Sequence, residues 1–206
     1  MDQALEQKRL NAVRKLEILD SSTESEFDDL VKLASIIFDV PISTVTIVDE
    51  HRQWFKAAVG LEVQQTPRDI SFCTHTISQD EPMVIGDTAQ DARFANSPLV
   101  KQDPHLGFYA GVPLKTSDDY AVGAFCIMDS KPRQLTQQQL DILKILANQA
   151  TKLLELRLER NKYRDLLKEK EKINLALKET AQRWKYALEG VGYGVWDWDI
   201  NSENVV

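Results

Sequence analysis

Apolar residues recur at helical spacing twice in the N-terminal part of the chain. The pattern predicts one helix over residues 3–19 and a second helix that ends before Pro41. Between them, Thr23 and Glu26 have the spacing of a capping box, in which a hydroxyl and a carboxylate satisfy free backbone amides. The two predicted apolar stripes consist of Leu5, Ala12, Leu16 and Leu19, and of Phe27, Leu30, Val31, Ala34, Ile37 and Phe38.

The middle of the chain carries strand patterns separated by turns. Runs rich in β-branched and aromatic residues predict two hairpins, with a short helix and a short strand between them. Helices on both sides of two hairpins predict an α+β layered domain. The predicted strands are Ser43–Val48, Trp54–Val59, Met83–Gly86, Phe108–Leu114 and Tyr120–Met128, and the short helix lies near Phe72–Ser78.

A long uninterrupted helix is predicted for the C-terminal part of the chain. Thr136 and Gln139 form a second capping-box pattern, and no Gly or Pro follows until Gly190. Such a helix is ~75 Å long, and a single domain cannot bury a helix along that whole length. A partial heptad pattern predicts a parallel coiled-coil homodimer, while a solvated helix packed on its own domain is the alternative for residues 140–155. The predicted dimer interface consists of Leu146, Leu153, Leu156, Tyr163, Leu167 and Leu177.

Charge and cysteine usage narrow the class of protein. The net charge is −7, yet residues 152–185 contain 11 Lys and Arg among 6 Asp and Glu, a mixture typical of a solvated helix. Because interspersed carboxylates weaken phosphate binding, we expect no nucleic-acid partner. Two cysteines indicate a reducing, cytoplasmic compartment. No signal sequence is visible and no apolar run reaches the ~18–20 residues of a membrane span, so no membrane partner is expected.

A series of short motifs follows one another over residues 48–133. They are Val48-Asp49, Arg52-Gln53-Trp54-Phe55-Lys56, Thr66-Pro67-Arg68, Ser71-Phe72-Cys73-Thr74-His75, Val84-Ile85-Gly86-Asp87, Asp91-Ala92-Arg93-Phe94, Pro98-Leu99-Val100, Phe108-Tyr109-Ala110-Gly111-Val112-Pro113-Leu114, Gly123-Ala124-Phe125-Cys126-Ile127-Met128-Asp129 and Pro132-Arg133. In this order, the motifs resemble a GAF domain of the kind found upstream of bacterial diguanylate cyclases and histidine kinases. The resemblance implies an antiparallel sheet with helices on one side and a pocket under the loops of the other face.

The end of the chain carries a second resemblance. Residues 183–189 and 192–199 look like the start of a PAS domain, of which the chain holds only a small part. We therefore expect a truncated PAS domain whose conformation here is not the physiological one. The expected organisation is an N-terminal helix (1–20), a GAF domain (21–150), a coiled-coil linker (151–185) and the start of a PAS domain (186–206).

Cysteine and histidine residues offer the first candidate chemistry. Cys73 and His75, with Cys126, would supply at most three metal ligands, and no third group orients a nucleophile; packing of Cys73 and local hydrogen bonding of His75 are favoured. Bilin-binding GAF domains have a cysteine directly followed by histidine, whereas Thr74 intervenes here. The several cysteines of free-methionine-sulfoxide reductases and the cyclic-nucleotide-binding pattern are also missing. No metal, cofactor or catalytic residue is predicted.

An anion-binding site is the second candidate. In one interpretation, Arg93 faces a pocket and holds an anionic ligand through its guanidinium fork. In the favoured alternative, Asp87 accepts backbone amides in a turn and Arg93 pairs with a carboxylate. Aromatic residues would form the pocket walls, or simply fill the core. The candidate ligand-binding residues are Trp54, Phe72, Cys73, His75, Asp87, Arg93, Phe94, Tyr109, Phe125 and Cys126.

Function follows from these features as a prediction. Paired catalytic carboxylates, a Gly-rich phosphate loop and a nucleophile–base set are all missing, which argues against an enzyme. We predict a regulatory sensor module that binds a small molecule or relays a conformational signal through a dimeric coiled coil. The signal would pass to PAS and output domains in cis, with a diguanylate cyclase or kinase as output. The alternative is a ligand-free dimerisation and spacer module.

Overall fold

The computed structural model describes residues 3–190 and, beyond them, two strands at 198–199 and 204–205. The chain divides into two compact units between Glu159 and Arg160. The helices are α1 (Gln3–Lys15), α2 (Ser25–Phe38), α3 (Phe72–Thr76), α4 (Pro98–Lys101) and α5 (Gln137–Gly190). The strands are β1 (Ile42–Val48), β2 (Arg52–Val59), β3 (Gln65–Pro67), β4 (Met83–Ile85), β5 (Phe108–Lys115), β6 (Ala121–Asp129), β7 (Trp198–Asp199) and β8 (Asn204–Val205).

The first unit is built on an antiparallel sheet of six strands in the order β3-β2-β1-β6-β5-β4. The two predicted hairpins, β1–β2 and β5–β6, meet in the middle, where β1 pairs with β6. Gly123 on β6 allows close approach of β1, because a Cβ there would lie 1.9 Å from the carbonyl oxygen of Thr46. In the second unit, β7 and β8 form an antiparallel pair.

Each face of the sheet carries its own hydrophobic core. Side chains of α1, α2 and the first turns of α5 pack on one face, which we call the helical face. The short helix α3 and the segment around Phe94 cover the other face, which we call the α3 face. The strands supply both cores in alternation, as strand geometry requires: Phe108 lies on the helical face and Tyr109 on the α3 face. The predicted α+β fold is confirmed.

The two predicted capping boxes have different outcomes. Thr136 and Gln139 exchange hydrogen bonds as predicted, because Gln139 N donates to Thr136 Oγ1 and Thr136 N donates to Gln139 Oε1. The box at Thr23 and Glu26 is wrong, since α2 begins at Ser25 and its N-cap, Glu24, makes no side-chain cap. The first helix is also shorter than predicted: it ends at Lys15, and Leu5 on its expected apolar stripe is half exposed.

The predicted dimer seam of α5 needs one correction. Leu146 is buried in the helical-face core, so it is not available to a partner helix, and Leu153 is partly buried against the same core. This burial matches the alternative in which the start of the helix packs on its own domain. The other four seam residues, Leu156, Tyr163, Leu167 and Leu177, are exposed.

The C-terminal predictions fall mostly outside the described part of the chain. The expected start of the PAS domain overlaps α5 up to Gly190, and the residues after it lie outside the described residues except for β7 and β8. Among the described residues, no helix combines the length and the apolar character that crossing a bilayer requires.

Candidate functional site

The ten candidate ligand-binding residues do not form a single site. Trp54 and Phe125 belong to the helical-face core, whereas Phe72, Cys73 and Tyr109 belong to the core of the α3 face. Phe125 and its neighbour in sequence, Cys126, point to opposite faces because successive strand residues alternate. Trp54 and Phe125 are therefore removed from the candidate pocket.

Aromatic rings fill the space under α3. The rings of Phe72 and Phe94 are stacked, with centroids 4.1 Å apart and planes 12° from parallel. Tyr109 is fully buried and lies 5.1 Å from Phe72, measured between ring centroids. His75 sets its edge against Phe94 at 4.9 Å. The aromatic residues that would line a pocket thus contact one another.

A polar cluster lies beneath these rings. Cys73 Sγ on α3 and Cys126 Sγ on β6 are 3.2 Å apart, and both cysteines are free and buried. The Tyr109 hydroxyl donates to Cys73 Sγ at 3.5 Å and lies 3.2 Å from Cys126 Sγ. Thr76 Oγ1 lies 2.7 Å from the same hydroxyl. The cluster joins α3 to the central strands through side chains alone.

The acidity of the two thiols differs. Burial raises the pKa of the Cys73 thiol, but the hydrogen bonds from Cys126, Thr46 and Tyr109 outweigh it and leave the pKa below its ordinary value. Burial raises the pKa of the Cys126 thiol well above the ordinary value, and hydrogen bonding to Cys73 raises it further. The hydrogen bonds around Cys73 therefore favour its thiolate form.

Arg93 is engaged by a carboxylate rather than aimed at a ligand. Its Nε and Nη2 donate to the two oxygens of Asp91 at 3.0 and 2.6 Å. This pairing lowers the pKa of Asp91. Asp87 accepts the backbone amide of Ala89 at 3.0 Å, in a local turn. This arrangement matches the favoured alternative, in which Asp87 stabilises a turn and Arg93 pairs with a carboxylate. The guanidinium group of Arg93 already binds Asp91 through two nitrogens.

His75 is the remaining candidate from the Cys-Thr-His segment. Partial burial lowers the pKa of its imidazole, and the nearby charge of Arg93 lowers it further. The side chain is therefore neutral at neutral pH and makes an apolar contact with Phe94. Within the described ranges, no group of three His, Cys, Asp or Glu side chains is placed to hold a metal ion.

A cleft that the sequence analysis missed lies between α1 and the β5–β6 turn. Its volume is about 450 Å³. Its basic groups are already paired: Arg9 binds both oxygens of Glu6 at 2.8 Å, and Lys115 Nζ lies 2.6 Å from Asp80. The one sequence signal that could have pointed to this cleft is an arginine, Arg9, within the predicted first helix. The residues that line the cleft are Leu5, Arg9, Ile77, Ser78, Gln79, Asp80, Lys115, Asp119, Tyr120 and Ala121.

The carboxylate of Glu6 is held between two guanidinium groups. It accepts from Arg9 and, at 2.6 Å, from Nη1 of Arg68. Partial burial raises the pKa of Glu6, but the hydrogen bonds from both arginines lower it to about 2. Arg9 Nη1 also donates to the carbonyl oxygen of Val48 at 2.6 Å. The group therefore fastens α1 to the end of β1.

Comparisons with known proteins identify the fold and the family. A family model described as GAF domain matches residues 22–154. The chain is 36% identical over 128 residues to a cyclic di-GMP phosphodiesterase of Pseudomonas aeruginosa, in a match that covers 62% of this chain and 22% of that protein. The chain thus spans about a fifth of the length of this curated relative.

Two solved GAF domains of phosphoenolpyruvate-protein phosphotransferases are also similar. The Acinetobacter domain has a TM-score of 0.55 and 17% identity, covering 75% of this chain and 95% of its own. The Coxiella burnetii domain has a TM-score of 0.56 and 12% identity, covering 78% of this chain and 99% of its own. At these identities, the likeness shows the fold alone.

Proposed function

Since this chain belongs to the GAF domain family, whose members are sensory and regulatory modules of signalling proteins, we propose that it relays a conformational signal through a parallel dimeric coiled coil formed by α5. The observation that carries the proposal is the continuity of α5 over 54 residues. Its first turns belong to the core of the sensory domain, so a change there reaches the rest of the helix directly.

The second half of α5 supplies the dimer contacts in this proposal. Beyond Glu159, apolar side chains of the helix are exposed, among them Tyr163, Leu167 and Leu177. Exposed apolar residues at heptad spacing are typical of a coiled-coil seam. Lys170 interrupts this seam, and an imperfect seam is suited to an element that has two alternative arrangements.

Substitutions at two neighbouring leucines test the seam. Leu177 lies in it, whereas Leu175 lies outside it, and the two side chains are 65% and 61% exposed. We expect Leu177→Asp to shift the chain from dimer to monomer at micromolar concentration, and Leu175→Asp to leave it dimeric. Light scattering coupled to gel filtration measures both masses. A monomeric wild-type chain, or equal behaviour of the two variants, would contradict the proposal.

The direction of the two helices needs a separate test. In a parallel dimer, equivalent residues of both chains lie side by side, so Lys170→Cys is expected to form an interchain disulfide readily under mild oxidation. Glu171→Cys is the matched control outside the seam. In an antiparallel dimer, the two copies of residue 170 would lie apart unless the helices crossed at that residue. Efficient cross-linking of a second variant, Leu156→Cys, would exclude such an antiparallel crossing, because the helices cannot cross at both positions.

The ligand-free dimerisation and spacer module is the second candidate, and one observation favours it. The space under α3 is filled by the stacked rings of Phe72 and Phe94 and by Tyr109. In that interpretation the signal arrives from neighbouring domains rather than from a small molecule. Native mass spectrometry of the purified chain separates the two: retained mass beyond the polypeptide supports a ligand sensor, and a bare dimer supports the spacer module.

Downstream domains complete the proposal. Residues 183–199 resemble the start of a PAS domain, which we propose as the first receiver of the signal from α5. The relative from Pseudomonas aeruginosa is named a cyclic di-GMP phosphodiesterase, which supports an output domain in cyclic dinucleotide signalling, with a kinase as the other option. We place the protein in the bacterial cytoplasm. Assaying cyclic di-GMP synthesis and hydrolysis by the protein with its C-terminal domains tests the output.

A further inference from the structure

The two cysteines of the chain, 53 residues apart in sequence, have their sulfur atoms 3.2 Å apart in the α3-face core. Each comes from a different layer: Cys73 from α3 and Cys126 from β6. From this juxtaposition we propose that Cys73 and Cys126 form a reversible oxidation site, at which a small peroxide converts the dithiol into a disulfide between α3 and the central sheet. This site is independent of the dimer proposal.

The surroundings give the two thiols different roles. The Tyr109 hydroxyl lies within reach of both sulfurs, 3.5 Å from Cys73 and 3.2 Å from Cys126, whereas the hydroxyls of Thr46 and Ser71 favour the thiolate form of Cys73. A thiolate is the nucleophilic form of cysteine, so Cys73 attacks the peroxide and Cys126 is the resolving thiol. Tyr109 contacts both sulfurs and is a positioning residue for the pair.

The chemistry balances with hydrogen peroxide as the oxidant. The Cys73 thiolate attacks one peroxide oxygen, the O–O bond breaks, and the products are Cys73 sulfenic acid and hydroxide. Cys126 sulfur then attacks Cys73 sulfur and displaces the sulfenic hydroxyl. The two thiol protons end in two molecules of water, so one peroxide is reduced as two thiols are oxidised. A dithiol reductant reverses the reaction by thiol–disulfide exchange.

The geometry requires only a small movement. A disulfide has its sulfurs ~2.05 Å apart, so the two atoms must approach by ~1.2 Å. The helix that carries Cys73 has five residues and is capped by Ser71, whose hydroxyl accepts the amide of Thr74. A helix of this length is readily displaced, because few backbone hydrogen bonds hold it.

Burial sets the selectivity of the site. Cys73 and Cys126 are 2% and 0% exposed, so a peroxide reaches them only through brief opening of the rings above. Bulky thiol reagents are excluded from the closed protein. We therefore expect slow alkylation of the native thiols, but oxidation by a molecule hardly larger than water.

The test is oxidation of the full chain by hydrogen peroxide. After treatment, the protein is unfolded in N-ethylmaleimide, digested without reductant and mapped by mass spectrometry. We expect the two cysteine peptides joined within one chain, with a mass two hydrogens below the reduced pair, and recovery of both alkylated thiols after dithiothreitol. Two free thiols after treatment, sulfinic acid without a cross-link, or a disulfide only between chains would each overturn the proposal.

Single variants separate the two roles. In Cys126→Ala the reaction is expected to stop at Cys73 sulfenic acid, which a 1,3-dione labels. In Cys73→Ala, the dione is expected to label Cys126 at least tenfold more slowly than it labels Cys73 in Cys126→Ala. Equal labelling of the two variants would overturn the assignment of roles. Tyr109→Phe, which keeps the ring, is expected to slow disulfide formation several-fold while the circular dichroism spectrum stays unchanged. If Tyr109 had only a structural role, the rate of disulfide formation would not change.

Discussion

Lys56 gives the sharpest test of what holds the first unit together. It is the extra residue of a β-bulge on β2, since Ala57 pairs with Val45 and Phe55 pairs with Thr46. Its side chain is completely buried, and Nζ lies 2.7 Å from Glu24 Oε1 and 2.7 Å from the carbonyl oxygen of Ser22. The ammonium group thus fastens the loop between α1 and α2 to the sheet. The perturbation is Lys56→Met, which keeps an unbranched apolar stem and removes the charge.

The expected effect follows from these contacts. Removing one partner of a buried ion pair costs about 3–5 kcal/mol when the other charge is stranded. Glu24 is not stranded here, because Arg157 on α5 also donates to its Oε1. The carbonyl oxygen of Ser22 loses its donor, however, and a hydrogen bond to a charged group contributes about 1.5–3 kcal/mol. We therefore expect Lys56→Met to lower the free energy of unfolding by about 2–3 kcal/mol.

Urea unfolding followed by tryptophan fluorescence measures this change. Trp54 is buried on the same strand and reports the loss of the sheet, while Trp184 is exposed. Lys144→Met is the matched control: its Nζ lies 3.6 Å from Glu81 Oε2 on the surface, so the loss is below about 1 kcal/mol. If Lys56→Met and Lys144→Met unfold at the same urea concentration, with unchanged dependence of the free energy on urea, the buried ammonium group does not stabilise the fold. That result would refute the reasoning.

Three further predictions concern acid stability, close packing and the root of α5. The pKa of Glu6, lowered to about 2, gives stability that is present above about pH 4.5 and lost as the pH falls towards 2. The deficit of Glu6→Gln, about 1–2 kcal/mol at pH 7 after solvent screening, should vanish in acid urea titrations, and a pH-independent deficit would contradict this. Gly123→Ala places its Cβ 1.9 Å from a backbone oxygen, so we expect no folded protein in solubility and circular dichroism assays; a native spectrum would disprove the close approach. Leu154→Ala, at a side chain 1% exposed, is expected to lose about 2–5 kcal/mol in urea unfolding, and a loss under 1 kcal/mol would argue against this packing.

Strand patterns predicted the sheet because β-branched runs and alternation are local signals. The same alternation shows that Phe125 and Cys126 face opposite ways, but it does not reveal which face each strand turns towards the helices. That choice is made by the tertiary packing of α2 and α5 on the sheet, which the strand pattern does not encode. The candidate pocket therefore mixed residues from both faces.

Local cap signals failed where a tertiary contact competed. Thr136 caps α5 as its spacing predicts, and its hydroxyl and the Gln139 side chain bond to each other. At the start of α2, Glu24 takes the N-cap position, while its carboxylate is bound by Lys56 and Arg157 from distant parts of the chain. Contacts of this kind have no sequence spacing by which they could be found.

Two short elements were missed for a different reason. The strand Gln65–Pro67 has three residues and the helix Pro98–Lys101 has four, so in neither is a hydrophobic period repeated often enough to stand out. Ser97 before Pro98 is a helix-start signal, because a serine N-cap with proline at the first helical position is a favoured combination. The meeting of Cys73 and Cys126 had no comparable signal, since it depends on the docking of α3.

The outermost strands of the sheet are very short. β3 and β4 have three residues each, and β3 ends at Pro67, which has no amide hydrogen to donate. An abbreviated edge offers an incoming chain few unpaired backbone groups. Strand addition along β3 and β4 is thereby discouraged, even when the protein is crowded beside copies of itself. Contacts between copies are then left to helices and loops, where side chains determine which surfaces bind each other.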